Sequence, residues 1–87
     1  MPRNSKNERK RERKMKEVLN KLQKELEEAQ ALLNYYEERR DATPRGSAYW
    51  RSAANVALLY RGEVFGLKTA IAEIEKAVNI EVQSNAE

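Results

Sequence analysis

From Trp50 onward, apolar residues return at steps of three and four without a miss: Trp50, Ala53, Ala57, Tyr60, Val64, Leu67, Ile71, Ile74 and Val78. That period belongs to an α-helix packing a narrow seam against another helix. A strand cannot present it, because strand side chains alternate with a period of two. A second seam comes first in the chain, at Met15, Leu19, Leu22, Leu26, Ala29, Leu33 and Tyr36. Between the seams lies Asp41-Ala42-Thr43-Pro44-Arg45-Gly46-Ser47, which holds the first glycine and the only proline after residue 2. Pro44 disfavours helix at Thr43, and Ser47 is a good cap for whatever follows. Ser5-Lys6-Asn7-Glu8 has the spacing of a capping box, which would start the first helix at Lys6.

These signals predict helix over about 6–41, a turn at 42–47 and helix over about 48–80. The second helix is expected to end near Asn79, leaving 81–87 as a frayed tail. Folding at the turn sets Met15 against Ile74, Leu19 against Ile71, Leu22 against Leu67 and Leu26 against Val64. Ala29 then meets Tyr60, Leu33 meets Ala57, and Tyr36 meets Ala53. Every pair sums to 89 or 90, so one register satisfies all of them. The expected fold is all-α: a single-domain, two-helix antiparallel hairpin, coiled-coil-like, covering residues 15–80.

A lone hairpin of 87 residues buries little, and the second helix carries more apolar surface than its seam needs. Leu58, Leu59, Gly62, Phe65, Gly66 and Thr69 fall on another side of the same helix. Each helical glycine costs about 1 kcal/mol relative to alanine. Four residues apart, Gly62 and Gly66 make a flat strip on which another backbone can lie. One reading is a protein interface at Leu58, Leu59, Gly62, Phe65 and Gly66, with a homodimer completing a four-helix bundle. The other is a strip covered by a folded-back terminus of the same chain.

Charge is unevenly placed. Residues 1–16 hold eight bases and two acids, a net +6, whereas 17–87 hold nine bases and twelve acids, a net −3; together they give the chain's +3. Residues 1–14 therefore form a basic arm, expected to project beyond the paired seam because Val78 would meet Glu12. Its candidate nucleic-acid-binding residues are Arg3, Lys6, Arg9, Lys10, Arg11, Arg13 and Lys14. Without an aromatic residue the arm has no base-stacking device, so its contacts should be to phosphates, salt-sensitive and poorly sequence-specific. Glu8 and Glu12 are expected to interrupt its basic face. A second mixed cluster surrounds the turn: Tyr35, Tyr36, Arg39, Arg40, Arg45, Tyr49, Trp50 and Arg51. Packing at the hairpin tip accounts for Tyr36 and Trp50, which belong to the seams.

Catalysis finds little support. The chain has no histidine and no cysteine, which removes the commonest general base and the thiolate nucleophile. The carboxylates mostly sit beside lysines at helical spacing, as Glu17 does with Lys21. No catalytic residue, metal, cofactor or small-molecule substrate is expected. No apolar run approaches the roughly 18 residues of a membrane span, and no apolar stretch follows the basic N-terminus as in a secretory signal. The expected setting is cytoplasmic, or nuclear in a eukaryotic cell. The sequence thus points to a non-enzymatic accessory or regulatory protein that presents a basic helical arm to nucleic acid or to a nucleic-acid-handling complex. The alternative is a protein-binding adaptor or inhibitor that docks its partner on Leu58, Gly62, Phe65 and Gly66.

Overall fold

A computed structural model describes the backbone of residues 5–86 and the side-chain surroundings of residues 8–79. Two helices pack against each other as a hairpin: α1, Ser5–Asp41, of 37 residues, and α2, Ala48–Ala86, of 39. No strand occurs among the described residues. At 1.5 Å per residue the helices are about 55 and 58 Å long. The whole Cα trace measures 69 × 16 × 13 Å, so the two overlap along nearly all of their length.

The turn is built by local hydrogen bonds. The Ala42 amide donates to the Glu38 carbonyl (2.9 Å) and the Thr43 amide to the Arg40 carbonyl (3.2 Å), which tightens the end of α1. The Thr43 hydroxyl donates to the Arg39 carbonyl at 2.6 Å. Pro44 then brings no amide hydrogen of its own. Gly46 adopts φ 88°, a left-handed conformation that strains any residue with a Cβ. Ser47 caps α2: its Oγ accepts the Trp50 amide at 3.1 Å, and its carbonyl accepts the Arg51 amide at 3.0 Å. The Arg51 guanidinium reaches back to the Gly46 carbonyl (3.2 and 3.3 Å) and ties the helix to its own turn. At the far end of α1, the side chain of Ser5, on which the capping box depends, lies outside the described residues.

All sixteen seam positions are buried or half-buried. The tightest are Ala57 (1% exposed) and Ala29 (2%), followed by Leu33 and Val64. Leu26, Tyr36, Tyr60 and Leu67 pack around them. The side chains meet with an offset, however. Tyr36 stacks on Tyr60, with ring centroids 5.8 Å apart and planes within 12°; it does not simply oppose Ala53. Glu37 pairs with Arg61 at 3.7 Å. Those pairs sum to 96 and 98, beyond the predicted 89 or 90. The cause is the lean of helical side chains toward their own N-terminus. In an antiparallel pair the two leans are opposed.

Two further expectations are corrected. The backbone of α2 stays helical to Ala86, past the end near Asn79 that the seam predicts. No glycine or proline follows Gly66, so no residue type there breaks the helix. In the predicted register the last turns of α2 run beside the first turns of α1. The basic arm is therefore one side of a two-helix rod and not a helix projecting alone.

Candidate interaction surfaces

Over residues 8–16 of α1, burial separates the charges by sign, and the exposed Glu17 bounds the basic stretch on its C-terminal side. Arg9, Lys10, Arg13, Lys14 and Lys16 are exposed, whereas Glu8 and Glu12 are half-buried. The acids continue the seam backward, at steps of three and four from Met15. At about 100° per residue, the five bases share an arc about 160° wide on the side of α1 facing away from α2. The expectation that Glu8 and Glu12 interrupt the basic face is thus corrected: they turn toward the seam, and the acid that falls within the arc is the exposed Glu17, at its C-terminal end. Arg11 falls between the two groups, three residues from Glu8. Lys6 has the spacing of the basic arc, but its side chain lies outside the described residues, as does all of Arg3.

The outer side of α2 is apolar and open. Leu58, Leu59 and Phe65 are 65%, 74% and 74% exposed. A Cβ added to Gly62 or Gly66 would meet nothing within 4 Å. The hairpin itself therefore has no packing need for either glycine. Among the described residues no terminal segment folds over the strip. Thr69 continues the same side, its hydroxyl donating to the Phe65 carbonyl at 2.9 Å.

The hairpin tip has two differently furnished sides. On one, the Arg39 guanidinium donates to the Tyr35 hydroxyl at 2.6 Å and lies 5.5 Å from that ring's centre. Tyr35 in turn meets Tyr36 edge to face, 5.1 Å between centroids. The hydrogen bond to Tyr35 pushes the Arg39 pKa up. Tyr49 stands 78% exposed, so packing at the tip explains Tyr36 and Trp50 but not Tyr49. On the other side, Arg40, Asp41, Thr43, Arg45, Trp50 and Ala54 line an open cavity of about 430 Å³. There the Arg40 Nε donates to Asp41 Oδ1 at 3.0 Å, which raises the Arg40 pKa. The sequence places these residues near one another, but their convergence on a cavity depends on the path of the turn.

A second cavity, of about 420 Å³, runs along the middle of the rod beside Leu26, Gln30, Asn34 and Lys68. Its amides are partly self-satisfied, Gln30 donating to Asn34 at 3.3 Å. Among the described residues, no three acids come together as a metal-holding group, and no helix is long and apolar enough to cross a membrane. No protein-family profile matches the chain, and neither does any curated protein or solved structure compared with it.

Proposed function

We propose that the protein is a non-enzymatic binding module that lays the basic arc of α1 against nucleic-acid phosphates. One observation carries this reading. Arg9, Lys10, Arg13, Lys14 and Lys16 are exposed on one side, while Glu8 and Glu12 turn inward. A solubilising terminus has no need of such sorting, whereas a surface that meets a polyanion does. Arg3, Lys6 and Arg11 would add contacts at the margin. The arc carries no aromatic residue, so it tracks the backbone and reads little sequence.

The test is the salt dependence of binding to a labelled duplex, followed by anisotropy. Five phosphate contacts predict a slope of about −4 to −5 in log K against log salt. Replacing Arg9, Lys10, Arg13 and Lys14 together by glutamine should weaken binding at least tenfold at low salt and bring the slope to about −1. Unchanged affinity in that variant, or affinity insensitive to salt, would sink the proposal.

The same reading assigns the outer side of α2 to self-assembly, two hairpins joining through Leu58, Leu59, Gly62, Phe65 and Gly66 into a four-helix bundle. What supports this is the surface the single hairpin leaves in water. It exposes 7227 Å², against about 5,300 Å² for a globular monomer of this mass. A protein-binding adaptor or inhibitor is the second reading, favoured by Phe65 standing 74% exposed beside two glycines that nothing in the hairpin touches.

A further inference from the structure

We propose that the open cavity at the hairpin tip binds a nucleoside monophosphate unit, with Arg40 and Arg45 on the phosphate and the Trp50 indole against the base. The cavity's volume of about 430 Å³ falls within the roughly 300–1,000 Å³ of small-molecule sites. Its chemistry is specific. Arg45 makes no hydrogen bond or ion pair among the described residues. Arg40 is engaged by Asp41 through Nε, which leaves its terminal nitrogens for a second anion. Two guanidiniums and one carboxylate leave the lining with a single net positive charge, which equals the charge of one phosphodiester and offsets part of the roughly −1.5 to −2 of a terminal monophosphate. The Ser47 cap fixes the Trp50 backbone at the start of α2, and the half-buried side chain lines the cavity, where an indole can stack on a base. The proposal concerns binding alone: the Asp41 carboxylate is engaged by Arg40 and the Thr43 hydroxyl donates to the Arg39 carbonyl.

The proposal does not rest on the basic arm. Lys10 and Arg40 are thirty residues apart on α1, about 45 Å. Either site can therefore fail without the other.

Trp50 is the chain's only tryptophan, so its fluorescence reports on this cavity directly. The full chain would be titrated with adenosine 5′-monophosphate, adenosine, inorganic phosphate and a short single-stranded oligonucleotide. Adenosine 5′-monophosphate should quench Trp50 saturably. Adenosine should bind at least tenfold more weakly, and phosphate should compete without quenching. Arg45→Ala, on the exposed turn, should weaken the nucleotide at least tenfold with helix content unchanged, and Arg40→Ala should act likewise. The arm variant with four glutamines should keep the quench. In that arm variant, an oligonucleotide tighter than the mononucleotide assigns the site to a strand; the reverse order assigns it to free nucleotide. No saturable quench would overturn the proposal, as would equal binding of adenosine and its monophosphate, or an Arg45→Ala variant that binds like wild type.

Discussion

Gly46 carries the backbone reversal, and its requirement can be separated from packing. Its φ of 88° lies in the left-handed region, yet a Cβ built there would meet nothing within 4 Å. Gly46→Ala should therefore cost only the backbone penalty, about 1–2 kcal/mol. Gly46→Asn should cost less, because asparagine tolerates that conformation. Denaturant midpoints of the three proteins, at equal slope, check the order glycine, asparagine, alanine. An alanine variant as stable as wild type would mean that the turn can relax to a negative φ. Pro44, Gly46 and Ser47 mark this turn plainly in the sequence. The clamp of Arg51 on the Gly46 carbonyl is not legible there, because a five-residue separation becomes a contact only once the turn has its shape.

At the scale of the helices, both seams were readable because burial follows period. The places where the reading failed have physical causes. A heptad count orders Cα levels but ignores side-chain lean, so it missed the Tyr36–Tyr60 stack. A seam also marks where packing ends and not where a helix must end, so it stopped α2 short of Ala86. Glu8 and Glu12 were readable and misread: their spacing continues the seam, but a charge invites placement on the solvent side. Gly62 and Gly66 offer the sharpest test at this scale. Since an added Cβ meets open space at both, Gly62→Ala with Gly66→Ala should stabilise the isolated hairpin by about 1 kcal/mol per site. The same methyl groups should block a close-packed partner. The double variant is thus expected to melt higher at low concentration and to associate more weakly at high concentration. Thermal melts across a dilution series separate the two effects. A variant that melts lower at every concentration would show that the strip is packed within the single chain.

For the whole molecule, the governing fact is a core too thin for the rod it supports. Among the described residues six are buried, Ala29, Leu33, Ala53, Ala57, Val64 and Ile71, half of them alanines. The area in excess of a globular monomer is about 1,900 Å², whereas one partner in a standard interface buries about 800 Å². A second hairpin can therefore be accommodated without covering the basic arc, which lies on α1 facing away from α2. Association through α2 would leave both arcs outward and double the phosphate contacts of one particle. Light scattering after size exclusion tests this on wild type and Phe65→Asp together. Wild type should run at twice the 10.1 kDa of the chain, and Phe65→Asp at the mass of one chain with its helix content kept. The monomeric variant should also show about half the salt slope per particle on a long duplex, because only one arc engages. A monomeric wild type would instead leave the α2 face free, and the adaptor reading would then take precedence. Growth beyond two chains would mean that the face stacks hairpins without closing, as a heterologous contact does.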